Sequence, residues 1–192
     1  MESDSRSGPV VLVNGLPGAG KTTLARQLSL ALGLPLFSKD VIKEAHADVF
    51  GDRMPDGLPQ RSWNAAFGAA ASETMWALLA DSPSGAVLES VWLADYRHLA
   101  LAGLQRACAE RPLEIWCAVP PELARSRFEA RHPRHPIHGA LMDDSEWALR
   151  IGNAEPLGLG PVLRVDTTGP VGVDGLAAIT SWVRATATGP DQ

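Results

Sequence analysis

Apolar residues in this chain fall into short continuous runs, separated by stretches in which they recur every three or four positions. The first run, Pro9-Val10-Val11-Leu12-Val13-Asn14, is apolar at odd and even positions alike. That is the pattern of a strand buried on both faces. A glycine-rich turn follows, and then Leu24, Leu28 and Leu32 repeat at i+4 with Gly33 as a stop, which predicts a helix over Lys21 to Leu32. Leu34 to Phe37 reads as a short second strand, and Ser38 or Asp40 as the cap of a helix from about Val41 to Phe50. Gly and Pro scattered from Gly51 to Pro59 mark a loop. Beyond it the pattern predicts a helix over Arg61 to Ala80, a strand over Gly85 to Glu89 and a helix over Asp95 to Glu110. A strand over Leu113 to Val119 and a helix from Pro120-Pro121-Glu122 to Ala130 come next. The last two elements are a strand over Val162 to Asp166 and a closing helix over Asp174 to Thr186.

Strands that alternate with helices build a parallel sheet covered on both faces. The predicted fold is therefore α/β, a three-layer sandwich around about five parallel strands. Arg131 to Ser145 is rich in Pro, His and Arg and shows no period. It stands where a mobile lid could be inserted. We read residues 1–8 as a polar tail and 9–188 as one domain with a short lid at about 131–146.

At 192 residues, 45% hydrophobic and 20% charged, the composition is that of a globular protein able to fold without disulfides. No apolar run reaches the roughly 18 residues a membrane helix needs. The polar, acidic N-terminus lacks the pattern of a secretion signal, so a cytoplasmic protein with no membrane partner is expected. Cys108 and Cys117 lie in apolar runs and read as reduced core residues. The net charge of −5 argues against a dedicated nucleic-acid binder. Lysine occurs only at Lys21, Lys39 and Lys43.

Lys21 closes the strongest motif. Gly15-Leu16-Pro17-Gly18-Ala19-Gly20-Lys21-Thr22 matches G-x-x-x-x-G-K-[ST], between an apolar strand and an amphipathic helix. Backbone N–H groups of such a loop wrap phosphates at a helix N-terminus, and glycines permit the close approach. The nucleotide-binding set is Gly15, Leu16, Pro17, Gly18, Ala19, Gly20, Lys21, Thr22 and Thr23. Lys21 would reach the β- and γ-phosphates of ATP, and the Thr22 hydroxyl would hold Mg²⁺. Asp40 stands just past the second strand, where α/β sheets bind their ligands. It could take the proton of an acceptor hydroxyl, or it could simply cap a helix.

The run Asn14 to Ala25, followed by Leu32-Gly33-Leu34-Pro35-Leu36-Phe37-Ser38-Lys39-Asp40, resembles the small P-loop kinases. It is most similar to chloramphenicol phosphotransferase, the zeta-toxin kinases and the kinase domain of bacteriophage polynucleotide kinase. Val119 to Arg131 resembles the helix that enters the lid in those families. The resemblance implies a P-loop NTPase fold and transfer of the γ-phosphoryl group of ATP to a hydroxyl of a small molecule, such as an antibiotic or a sugar-like compound. It implies Asp40 as base, and lid arginines that neutralise charge on the transferring group. Arg127 and Arg131, one turn apart, are the foremost of these; Arg125 and Arg134 are further candidates. A polynucleotide 5′-hydroxyl kinase and a toxin-like or regulatory NTPase are the alternatives.

Further residues carry two readings each. Glu89 ends the third strand, where it could hold a Mg²⁺-bound water or the acceptor, or be an ordinary strand-end carboxylate. His132, His135 and His138 read better as a lid segment touching substrate or phosphate than as a zinc site. Asp166-Thr167-Thr168 would lie near the adenine edge in the family's arrangement. Asp40, Glu44 and Asp48 share a helix face that is either solvated or attractive to a cationic acceptor. Trp63, Phe67, Trp76 and Trp92 line an apolar acceptor pocket or are core.

Overall fold

The structure, a computed structural model, describes residues 7–53, 59–132 and 135–188. All five expected strands are present and pair in parallel: β1 (Val10–Asn14), β2 (Leu36–Ser38), β3 (Ala86–Glu89), β4 (Leu113–Ala118) and β5 (Val162–Asp166). The helices are α1 (Lys21–Leu32), α2 (Lys39–Phe50), α3 (Gln60–Ala80), α4 (Arg97–Arg106), α5 (Pro121–Glu129), α6 (Asp144–Gly152) and α7 (Val173–Thr188). The strand order is β2-β3-β1-β4-β5. β1 is thus central, its Val11 in register with Val87 on one side and Leu113 on the other. The chain leaves β1 toward β2 but leaves β4 toward β5. The crevice between the carboxyl ends of β1 and β4 is therefore a topological switch point, the place where open α/β sheets bind ligands.

Alternation along β1 divides the core into two layers. Val11 and Val13 pack with Leu24 and Leu28 of α1, Ile179 and Val183 of α7, and Trp147 of α6. Val10 and Leu12 pack with Met75, Trp76 and Leu79 of α3 and Leu104 of α4. Trp76 and Trp92 stack at 6.3 Å within this second layer, so both are core. No helix among the described residues is long and apolar enough to cross a membrane.

The differences from the sequence-based expectations have local causes. α2 begins at Lys39 rather than Val41. A 3₁₀ turn, Ala94–Tyr96, precedes α4, which stops at Arg106 instead of reaching Glu110. There Cys108 takes φ +52°, and the Ala109 N–H reaches back to the Leu104 carbonyl at 2.9 Å, a Schellman-type stop usually made by glycine. Cys108 is consequently exposed, against the expectation of a core thiol, whereas Cys117 is buried as expected. α6 is unexpected. It starts where the Asp143 carboxylate accepts the Glu146 N–H at 2.9 Å, and Trp147 is its one buried residue. Residues 1–6 of the expected tail lie outside the described residues, while the Ser7 and Gly8 amides donate to the Pro83 carbonyl at 3.0 and 3.3 Å.

A buried polar girdle ties the carboxyl-end loops together. The Asn14 side-chain oxygen accepts the N–H of Gly15 at 2.7 Å and of Trp92 at 3.0 Å. Its amide nitrogen donates to the Trp92 carbonyl at 3.0 Å and to Glu114 Oε1 at 2.9 Å. Glu114, 1% exposed, also accepts the N–H groups of Leu157 and Gly158 at 2.9 and 3.0 Å. Three donors thus depend on one buried carboxylate. Each donor left unsatisfied costs about 1–3 kcal/mol. Glu114→Ala is therefore expected to lower the denaturation midpoint steeply, while Glu114→Gln, which keeps an acceptor, loses less; chemical denaturation followed by circular dichroism measures both.

Candidate functional site

The Gly15–Lys21 turn leaves β1 at the switch point and runs into α1. Gly15, Gly18 and Gly20 take φ of +144°, +85° and +87°, a region that costs an ordinary L-residue strain. Space is closed as well. A Cβ on Gly18 would lie 1.9 Å from the Ala124 carbonyl oxygen of α5, and one on Gly15 would lie 2.8 Å from that of Cys117. α1 begins with Gly20 at its N-cap, no side-chain cap and no acidic residue in its first turn. Its first amides and its dipole are left for an anion. Lys21 is buried and its Nζ donates to the Leu16 carbonyl at 2.8 Å. Burial pushes this ammonium below its ordinary pKa; Glu89, Cys117 and Asp40 pull it back up, and Arg131 lowers it. The neighbouring Cys117 thiol is pushed up to about 12, chiefly by burial, so it is a poor nucleophile.

Glu89 ends β3 beside the loop, only 4% exposed. It accepts the Thr22 hydroxyl on Oε1 at 3.3 Å and the Ser38 hydroxyl on Oε2 at 2.6 Å. Two hydroxyls and a carboxylate make an all-oxygen donor set, the kind that suits Mg²⁺. Ser38, not Asp40, stands at the N-cap of α2, and its hydroxyl serves Glu89 instead of the helix. Asp40 is the second residue of α2, so the cap reading of Asp40 is corrected. Its carboxylate acts on Lys21 and on Lys39, whose ammonium is lowered mainly by burial and raised by Asp40.

The arginines separate into different tasks. Arg127 donates from Nη1 to the Thr167 carbonyl at 2.8 Å and from Nη2 to that of Thr168. Thr167 also approaches Gly20, so this arginine fixes the turn after β5 against the phosphate loop. Arg131 donates Nε to the Arg127 carbonyl at 3.1 Å and lies close enough to Lys21 to lower it. Arg125 pairs with Glu129 and Asp144 at 2.7 Å each and lies over the Trp147 ring, joining α5 to α6. Arg134 lies outside the described residues.

His135 and His138 face the acidic side of α2. His135 Nε2 meets Asp48 at 3.1 Å, and His138 Nε2 meets Glu44 at 2.7 Å. Glu44 and Asp48 are therefore hydrogen-bonded within the protein, to His138 and His135. Among the described residues no group of three or more His, Cys, Asp or Glu side chains is placed to hold a metal ion. Phe67 is buried with Ala47 and Ile137, and Trp63 packs beside them. The aromatic pairs thus serve packing, with Trp63 and Phe67 edge to face at 4.9 Å. Sequence reasoning named Ser38 only as a helix cap and missed its bond to Glu89, and it missed the Asn14–Glu114 girdle. The available signal was a glutamate inside the apolar run Leu113–Ala118 and an asparagine directly before Gly15.

The model of a family described as an AAA domain, AAA_33, matches residues 10–148. A candidate kinase of Chloroflexus aurantiacus J-10-fl is similar over 94% of this chain and 98% of its own, with 31% identity and a TM-score of 0.78. A sugar kinase of Janibacter sp. HTCC2649 is similar over 96% of this chain and 99% of its own, at 20% identity and a TM-score of 0.60. The shikimate kinase of Acinetobacter baumannii, solved with shikimate, is similar over 93% of this chain and 92% of its own, at 14% identity and a TM-score of 0.56. The last two share the fold. No curated protein matches the chain.

Proposed function

We propose that this chain, which belongs to the AAA_33 family of AAA domains, is a kinase that moves the γ-phosphoryl group of ATP to a hydroxyl of a small molecule. One observation carries the reading: at the glycine loop with its buried Lys21, Glu89 accepts the Thr22 hydroxyl and the hydroxyl of Ser38, and Asp40 lies in the first turn of the helix that Ser38 begins. A base and a phosphate-binding lysine thereby share one crevice. The acceptors of the sugar kinase and of the shikimate kinase support a compact hydroxyl compound as acceptor.

In the reaction the acceptor oxygen bonds to the γ-phosphorus, and the bond from that phosphorus to the β–γ bridging oxygen breaks. The acceptor proton passes to the Asp40 carboxylate, and ADP leaves. The loop amides and Lys21 hold the phosphates; Arg127 keeps the Thr167–Thr168 turn against the loop; Arg131 meets the charge that builds on the moving group. Mg²⁺, when bound, neutralises phosphate charge; the Thr22 hydroxyl would hold it, with Glu89 behind.

The test is an ATP-consumption screen against antibiotics, sugars and nucleosides, with mass spectrometry for a product heavier by one phosphoryl group. ATP hydrolysis indifferent to every acceptor would reject the reading. Within it, Arg131→Ala is expected to lower kcat by about 10³-fold or more, as loss of an arginine finger does, with little change in ATP affinity. Weakened ATP binding at unchanged kcat would make Arg131 a ground-state phosphate ligand instead.

A further inference from the structure

The segment between α5 and α6 holds a cluster that the reaction above does not use. Ile137, in a 3₁₀ turn at Pro136–His138, is fully buried against Ala47 of α2 and Phe67 of α3, with Trp63 alongside. Three polar contacts from α2 surround this knob. Lys43 Nζ donates to the Ile137 carbonyl at 3.1 Å, His138 meets Glu44 and His135 meets Asp48. His135 Nδ1 also accepts the Ile137 N–H at 3.2 Å. That places its ring proton on Nε2, where it donates to the Asp48 carboxylate. The cluster is thus an attachment between this turn and α2.

The attachment points lie in line with the base. Asp40, Glu44 and Asp48 are spaced by four residues, about 6 Å apart along one face of α2. His138 and His135 meet the second and third of these, and Asp40 lies in the first turn of the helix. On the other side, His135 is four residues from Arg131, a span of at most about 14 Å of chain. We propose that His135, Ile137 and His138 are positioning residues: they clasp the Pro136–His138 turn to α2, and so tether Arg131, four residues before His135, to the helix that carries Asp40. The clasp acts through Arg131 and touches no reacting atom. It rests on the phosphoryl-transfer reading only in assuming that Arg131 meets charge on the moving group.

The experiment uses ADP with Mg²⁺, alone and with aluminium fluoride, because the fluoroaluminate mimics the transferring group and needs no acceptor. In His138→Ala and Ile137→Ala, ADP affinity is expected to stay within about twofold of wild type. Affinity for ADP–fluoroaluminate is expected to fall about 10–10²-fold, the scale of a catalytic group displaced by an ångström or so. Amide hydrogen exchange at His138 and Gly139 should quicken in parallel. The double variant His138→Ala/Glu44→Gln should be no weaker than His138→Ala alone, since both changes break one contact. Ile137→Ala empties a core site and can cost folding; His138→Ala leaves the core intact and decides the matter. A folded His138→Ala protein with wild-type fluoroaluminate affinity overturns the clasp. So does an equal loss for ADP and for ADP–fluoroaluminate, which would mean a structural role alone. Failure of every acceptor in the transfer screen would end the kinase reading and leave this comparison standing, whereas absence of ADP binding would overturn both.

Discussion

Lys21→Ala is expected to lower phosphoryl transfer by at least about 10²–10³-fold, the cost of removing one preorganised donor from developing charge. The structure raises the expectation toward the upper end. Lys21 is 6% exposed, and its charge sits in a water-poor crevice where each interaction counts for more than at the surface. The same burial predicts what happens to stability. The ammonium is desolvated at a cost that is reflected in its lowered pKa, and it donates a hydrogen bond to the Leu16 carbonyl. Removing it relieves that cost but also takes a cation from the neighbourhood of Glu89 and Asp40, so the two effects oppose and the net shift in melting temperature should be small. ATP affinity should fall as well, because the lysine meets the β- and γ-phosphates in the ground state. Calorimetric ATP titration, thermal melting and product mass spectrometry together separate these effects. A Lys21→Ala protein that transfers phosphate at near the wild-type rate would remove the loop from the mechanism.

Asp40→Asn should leave the fold and Mg-ATP binding nearly unchanged while transfer falls by about 10²–10⁴-fold, the range for a lost general base. The placement of Asp40 makes this a clean experiment. Ser38 occupies the N-cap, so the amide at position 40 disturbs no cap. It gives up a first-turn charge on the helix dipole, about 0.3–1 kcal/mol, together with the attraction of that carboxylate for Lys21 and Lys39. Glu89 does not offer a ready substitute, since the Thr22 and Ser38 hydroxyls bind its two oxygens. The loss will be smaller if the metaphosphate-like transition state needs little proton transfer before the phosphoryl group moves. Full transfer activity in a stable Asp40→Asn protein would show that no carboxylate at this position accepts the proton. Initial rates against acceptor concentration, with the melting temperature as control, give the answer.

The parts of the site that sequence could show are those made by contiguous residues. Gly15 to Thr22 carries its own conformational requirements, three glycines at positive φ and a helix start, and the flanking strand and helix are equally local. Periodicity likewise located all five strands: burial on both faces forces continuous apolar runs in β1, β3 and β4, while β2 and β5, at the sheet edges, are only partly buried. What it cannot supply is a partner. Asn14 and Glu114 meet across 100 positions, and Ser38 and Glu89 across 51. Each residue alone looks like an ordinary polar residue at a strand end or an interruption of an apolar run. Arg127 and Arg131 show the same limit: one turn apart they read alike, yet one holds two carbonyls and the other approaches Lys21. α6 was hidden because only Trp147 turns inward, although Asp143 and Glu146 stand at capping-box spacing.

The Asn14 girdle bears on how ATP arrives. Gly15, at the root of the phosphate loop, is hydrogen-bonded to a side chain that also grips Trp92 and, through Glu114, the Leu157–Gly158 turn. The ordering entropy of the loop root is therefore spent when the chain folds, not when the nucleotide binds. Association can then proceed with little backbone rearrangement, and its enthalpy is not offset by a large loss of loop freedom. Loosening the girdle would transfer that entropy to the binding step, so nucleotide affinity would weaken even though no contact to the phosphates had been touched.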